Sequence, residues 1–327
     1  MDKVMDSFDV VLGLLKESGA CAGLVEPGAY HAWKPRLEEA LGCPVVSKST
    51  LSEFARGAFK FKWARDNKVE KRSAGMALGS LVDCLTLTPE LFETQYLCEE
   101  KQVAVKKDGT PYANGQQDAE QKRRWESAAE EGVTVISPEQ LAVGEAIAAQ
   151  AVGHLERYGL RRGESFLSQF AVWVYMTEVD GVPLACPVVV TGMFDILPTD
   201  ETLGIWDLKT TGEDVFNYER LCYSMEDYKY GMQAAMYLDL ANAVYGEDGK
   251  RDVFRFLFVG TAEPYMSRVV GMDAQVVDLY REEYRRLLRA YCVAWKMGDW
   301  GESCLDMRWF MPSRKEWKRL QEGELVK

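Results

Sequence analysis

The chain has 327 residues, 47% of them hydrophobic and 11% aromatic, and a net charge of −12 at pH 7, enough apolar material for one large core or two. No run approaches the roughly 18 uninterrupted apolar residues of a membrane span. The start, Met1-Asp2-Lys3-Val4-Met5-Asp6, lacks the charged-then-apolar pattern of a signal peptide, so a cytoplasmic protein away from membranes is expected.

Helical periodicity covers residues 4–18, and Gly23–Gly28 reads as a loop. Thr50-Leu51-Ser52-Glu53 fits a capping box opening a helix to about Arg65. Basic residues crowd this stretch: Arg56, Lys60, Lys62, Arg65, Lys68, Lys71 and Arg72, with Phe54, Phe59, Phe61 and Trp63 interleaved. An amphipathic helix with a solvated basic face accounts for the pattern, and so does a phosphate-contacting wall. The net acidity speaks against nucleic acid binding over the whole surface, not against binding in one groove.

A helix is predicted over Ala74–Leu87, ended by Thr88-Pro89, and residues 101–131 turn polar, as in a surface excursion. Ser137-Pro138-Glu139-Gln140 starts another helix, with serine as cap and proline in the first turn. Strands are expected at Ser168–Tyr175, Pro183–Leu197 and Ile205–Thr210, separated by turns at Asp180-Gly181 and Pro198–Gly204. Ser224-Met225-Glu226 caps a helix to Tyr245-Gly246, Val253–Val259 forms a strand and Asp273–Met297 a final helix. The fold class is mixed α/β with a helical N-terminal half packed around it. We read one domain: 1–135 mainly helical, 136–300 the α/β core, and 301–327 a basic aromatic tail with Arg308-Trp309 and Arg314–Arg319.

Eight cysteines (21, 43, 84, 98, 186, 222, 292, 304) form no Cys-x-x-Cys pair, which suits free thiols better than disulfides or zinc. His31 and His154 read as surface or packing residues. No Gly-x-Ser-x-Gly elbow and no phosphate-binding Gly-x-x-x-x-Gly-Lys-Ser/Thr loop occurs, so neither a serine nucleophile nor ATP coupling is expected.

The most informative residues are Asp195 and Asp207, each in an apolar strand-like run, with Lys209 two positions past the second acid. Alternate strand residues share a face, so Asp207 and Lys209 project together, and a hairpin brings Asp195 beside them. Two carboxylates and an ammonium suit a hard cation and an anionic substrate. The Asp-x-Lys triplet also occurs at Asp66, Asp227 and Asp248; those copies follow a basic aromatic run, sit in a helical pattern and sit in a turn. An inert ion pair between Asp195 and Lys209 is the structural alternative.

Strand acid, hairpin, Asp-x-Lys and a helix bearing Gln233 and Tyr237 together resemble the PD-(D/E)xK nuclease superfamily with its restriction-endonuclease-like core. The closer resemblance is to phage and prophage RecE-like exonucleases (exodeoxyribonuclease VIII type, RecB-type motifs). It is carried by Ser47-Lys48-Ser49-Thr50-Leu51 and by Gly79-Ser80-Leu81-Val82-Asp83-Cys84-Leu85-Thr86-Leu87-Thr88-Pro89. The resemblance implies a Mg²⁺-dependent DNA exonuclease, with Mn²⁺ able to substitute, working 5′ to 3′ on linear duplex ends. It implies Asp195, Asp207, the Leu208 carbonyl and Asp83 as metal ligands, Lys209 as catalytic lysine, and Gln233 and Tyr237 lining the site. Arg56, Lys60, Lys62 and Arg65 become DNA-binding candidates. It further implies a ring-shaped homo-oligomer, a RecT-like annealing partner and a bacterial cytoplasmic setting under phage or prophage control. Asp83 stands where relatives have histidine, and Gln169, with Glu164 upstream, where they often have glutamate. One-metal and two-metal action both stay open. A structure-specific endonuclease and an inactive DNA-binding module of the same fold are the alternatives.

Overall fold

The computed structural model describes residues 5, 7–67, 73–106, 110 and 115–301. The chain begins with α1 (Phe8–Ser18), β1 (Ala20–Leu24), α2 (Pro27–Leu41), β2 (Val45–Val46), α3 (Lys48–Ala55), α4 (Ala58–Asp66) and α5 (Ala74–Leu87). A short 3₁₀ turn leads into α6 (Phe92–Gln95), β3 (Tyr96–Cys98), α7 (Ala119–Glu130), β4 (Thr134–Ile136) and α8 (Pro138–Arg157). The remainder is β5 (Phe166–Val179), β6 (Val182–Pro198), β7 (Ile205–Thr211), α9 (Tyr218–Asp227), α10 (Tyr230–Tyr245), β8 (Phe254–Gly260), β9 (Ser267–Gly271) and α11 (Ala274–Met297).

The main sheet runs β1-β5-β6-β7-β8-β9, with β2 also pairing with β6; β3 and β4 form a small separate sheet. Within the main sheet pairing is antiparallel except for β7 with β8 and β2 with β6, and β3 lies parallel to β4. A parallel neighbour needs a long crossover, and α9 with α10 supplies it. The long β5–β6 hairpin turns at Asp180 (φ 55) and Gly181 (φ 71). Two successive positive φ angles match the right-handed twist of the flanking strands.

Helices cover the sheet on both sides. One core joins Phe170, Phe194, Phe254, Phe256 and Phe258 to α10 and α11 through Met232, Leu238, Leu288 and Tyr291. Another packs Trp206, Leu208 and Leu257 against Val82 of α5 and Ile147 of α8. The β6–β7 turn is held from outside. Buried Arg251 donates to the Pro198 carbonyl at 2.7 Å and the Gly204 carbonyl at 2.9 Å. Gly204 sits at φ +70, and a Cβ there would lie 2.0 Å from the Val253 carbonyl oxygen.

The expected fold class holds, α5 matches its predicted bounds and α8 its predicted start. Four expectations change. Residues 23–28 are not a loop: β1 ends at Leu24 and α2 begins at Pro27, where proline suits a first helical turn. The helix expected from Thr50 to Arg65 starts at Lys48, because Thr50 Oγ1 accepts from the Ser47 N–H at 3.2 Å. It then breaks at Gly57, whose φ of +142 other residues rarely take. The helix expected from Ser224 to Tyr245 is two helices: Asn217 caps α9 by accepting from the Arg220 N–H, Ser224 lies inside it, and Lys229 (φ 55) interrupts the path into α10. The polar stretch 101–131 contains α7, capped by Asp118, whose surface is solvated nearly all round; residues 107–109 and 111–114 lie outside the described residues. So do Lys68, Lys71, Arg72, Cys304 and the basic aromatic tail. The other seven cysteines are free thiols. No helix among the described residues is long and apolar enough to cross a membrane.

Candidate active site

Ile196 of β6 pairs with Trp206 of β7, and one residue further along each strand stand Asp195 and Asp207. Here the strands splay. The Leu208 N–H, instead of meeting a β6 carbonyl, donates to Asp195 Oδ2 at 3.0 Å. In an extended residue N–H and C=O point to the same edge, so the Leu208 carbonyl faces this seam too.

Asp207 is 1% exposed. Its Oδ1 accepts from Gln233 Nε2 on α10. Its Oδ2 pairs directly with Lys209 Nζ. Lys209 also lies 5.4 Å from the Tyr230 ring centre, and Lys48 of α3 approaches the same ring at 5.3 Å. Tyr237, one turn beyond Gln233, packs on Phe194 with ring centres 5.0 Å apart.

Asp83 enters from α5. That helix comes close to β7 at Gly79, where a Cβ would sit 3.1 Å from Thr210 Oγ1. One turn later, Asp83 feels both Lys209 and Asp207.

The site holds three carboxylates against one central ammonium. Burial pushes Asp83 up to about 7, the Lys209 charge pulls it back and Asp207 adds to the rise. Asp195 is raised well above the usual carboxylate range by burial first and the Asp207 charge second. Burial works against the Lys209 ammonium, but Asp207 and Asp195 outweigh it and hold Lys209 charged beyond its ordinary range. Burial and the Lys209 charge bring Lys48 down to about 8.

This excess of acid, all of it oxygen donors, fits a hard divalent cation. Asp195, Asp207 and the Leu208 carbonyl are the oxygen donors at the seam, with Asp83 adding charge. No group of three His, Cys, Asp or Glu side chains among the described residues forms a ready-made cage, so the fit rests on this smaller set.

A testable consequence concerns the metal-free protein. A carboxyl whose folded pKa exceeds its unfolded value, about 4, contributes stability at low pH that is lost as pH rises through the folded value; for Asp83 that window closes at about 7. Melting in EDTA is therefore expected at a lower temperature near about pH 8 than near about pH 5.5. Mg²⁺ should restore more at the higher pH, and Asp83→Asn should flatten part of the slope. A metal-induced shift indifferent to pH would count against these carboxylates as ligands.

Of the four basic candidates, Arg56 alone lines the cleft beside the site. Lys62 is tied to Asp66 at 2.6 Å. Arg65 pairs with Glu38, donates to the Tyr291 hydroxyl at 3.0 Å and lies 4.9 Å from the Trp295 ring. Lys60 is exposed and does not line that cleft. His154 binds Ser267 Oγ at 2.7 Å and His31 packs edge-on to Tyr30, both serving packing. Gln169 is buried, left-handed (φ 54) and flanked by the pairs Ser168–Ile196 and Phe170–Phe194, which sets it across from Asp195. Its Oε1 has no hydrogen-bond partner among the described residues. Glu164 makes a surface pair with Arg161 at 3.8 Å. Sequence reasoning missed Lys48 and Tyr230. Tyr230 carried a usable signal, since 230, 233 and 237 follow the i, i+3, i+7 spacing of one helix face.

Comparison with known proteins follows the same direction. The profile of the PD-(D/E)XK nuclease superfamily matches residues 45–304. No curated protein matches the chain. Among solved structures, a candidate exonuclease from Eubacterium rectale is similar over 93% of this chain and 94% of its own, at 14% identity and a TM-score of 0.48. With the profile running over most of its length, this chain belongs to the PD-(D/E)XK nuclease superfamily.

Proposed function

We propose that this chain is a divalent-metal-dependent exodeoxyribonuclease of the RecE-like type. It digests one strand of linear duplex DNA from the 5′ end and leaves a 3′ overhang for a single-strand annealing protein. The observation that carries the reading is buried Asp207, held by Gln233 on one oxygen and set against Lys209 on the other, with Asp195 across an opened strand seam. The early Ser47–Leu51 helix start and the Gly79–Pro89 segment support the RecE-like assignment, and with it a ring-shaped homo-oligomer and a RecT-like partner.

Asp195, Asp207 and the Leu208 carbonyl would hold the cation, Mg²⁺ in the first instance, with Mn²⁺ as a substitute. Bound there, it would neutralise the scissile phosphate and acidify the attacking water. Lys209 stays charged because two carboxylates flank it. Its ammonium acts most strongly as negative charge builds on the phosphate in a poorly hydrated site. Gln233 fixes the Asp207 side chain, and the Tyr230 ring presents its face to the Lys209 ammonium. None of these groups serves as a covalent nucleophile.

The test uses linear duplex labelled at the 5′ end, the same duplex labelled at the 3′ end, and a covalently closed circle, each with Mg²⁺. Early release of the 5′ label with the circle intact is the expected result. Nicking of the circle would replace the exonuclease by an endonuclease of the same family, and no cleavage of any DNA would overturn the reading.

A further inference from the structure

Beside Lys209 the molecule opens into a cleft of about 1380 Å³, between the first turns of α5 and the face of α9. That exceeds the roughly 300–1,000 Å³ of a pocket for one small ligand, so its occupant is extended. Into it runs an aromatic ladder. Phe256 in the core stacks on Tyr230 with ring centres 5.2 Å apart and planes at 27°, and Tyr230 stacks on Tyr228 at 5.7 Å and 18°. The ladder ends in solvent: Tyr228 is 57% exposed, and Tyr223, also on the cleft wall, is 58% exposed.

Stacking of residues two apart is not what a helix produces, since i and i+2 point away from each other. It requires the left-handed Lys229 between them (φ 55), a conformation costly to a residue with a Cβ. The break is also clamped. Lys48 Nζ donates to the Tyr228 carbonyl at 2.5 Å and Arg56 Nη2 to the Asp227 carbonyl at 3.3 Å. A costly backbone state, pinned by two cations, thus holds a large flat ring at the mouth of the site.

The charge of the wall says what this ring meets. Glu213, Glu219 and Asp227 outnumber Arg56 and Arg220 among the charged residues that line the cleft, so its wall is net acidic and attracts the phosphates of a polynucleotide less than its exposed rings attract the bases. Base faces are free to stack only in an unpaired strand, because a duplex hides them against their neighbours.

We propose that Tyr228, with Tyr223 beside it, is a stacking platform for the bases of an unpaired DNA strand entering or leaving the site at Lys209. The proposal rests on the nuclease reading and names the form of DNA the cleft takes.

The experiment measures binding of the full chain, in EDTA so that nothing is cut, to a fluorescent oligo(dT) of about 12 nucleotides and to an abasic strand of equal length and charge. The expected result is that Tyr228→Ala weakens oligo(dT) binding about tenfold or more and leaves abasic binding within about twofold. Tyr223→Ala should act in the same direction, and Tyr228→Trp should restore the preference for bases. Equal loss on both strands, no loss on either, or a wild-type chain indifferent to the presence of bases would overturn the platform. Unchanged thermal melting of the variants separates lost stacking from lost fold. A chain that degrades labelled duplex while Tyr228→Ala binds oligo(dT) normally keeps the nuclease reading and loses this one. A chain that prefers bases through Tyr228 but cuts no DNA does the reverse.

Discussion

Replacing Asp207 by asparagine will reduce DNA cleavage by about 10³-fold or more, while the metal-free protein melts at the same temperature as the parent or higher. Both halves follow from one position. Asp207 is fully enclosed, and its charge raises the carboxyls of Asp195 and Asp83. Burying an ionised acid among other acids is costly unless a cation compensates. Asparagine keeps the oxygen that Gln233 binds and removes the repulsion, and Lys209 retains Asp195 as a partner. What disappears is a charged donor for the cation. The variant should accordingly lose most of the Mg²⁺-dependent rise in melting temperature. Label release within about tenfold of the parent would show that Asp207 is not part of the cation site.

Gly231→Ala is expected to destabilise the protein by about 1–3 kcal/mol, the usual cost of overpacking, and to lower cleavage as well. A Cβ on Gly231 would lie 2.0 Å from Cδ2 and 2.2 Å from Cε2 of Tyr280, so α10 and α11 cannot stay at their present separation. Gly231 is flanked by Tyr230 and followed two residues later by Gln233, so any retreat of α10 displaces groups that touch Lys209 and Asp207. Thermal melting and label release read the two effects. Tyr280→Ala in the same chain should recover most of both losses, as coupled neighbours do in a double-mutant cycle. A Gly231→Ala protein that melts like the parent would show that the Tyr280 ring swings aside freely.

Much of the architecture was legible because its boundaries are written in local chemistry. Ser137 and Pro138 start α8, and Thr88-Pro89 closes α5, each by a mechanism confined to one helical turn. The hairpin bearing Asp195 and Asp207 was legible for a similar reason: alternation and turn residues set its register within a few positions. The misses share a different cause. β1, Ala20–Leu24, is a strand because it lies along β5, with Ala20 opposite Val174; its small residues carry little strand preference of their own. The breaks at Gly57 and Lys229 depend on what α3, α4, α9 and α10 pack against, and periodicity ran straight through both. Lys48 joins the site from 161 positions before Lys209, a proximity that local pattern does not contain. The basic cluster of α4 read as a candidate wall, yet Arg65 and Lys62 spend their charge on Glu38 and Asp66.

The parted seam between β6 and β7 has a consequence for durability. Asp195 and Asp207 grow from the central strands of the sheet, and Asp83 from a helix packed on it; none is hung on a loop. Their arrangement is underwritten by the same apolar layers that hold the protein together, so heat has no cheaper way to disarm the site than to melt the whole core. Function and fold here share a single point of failure.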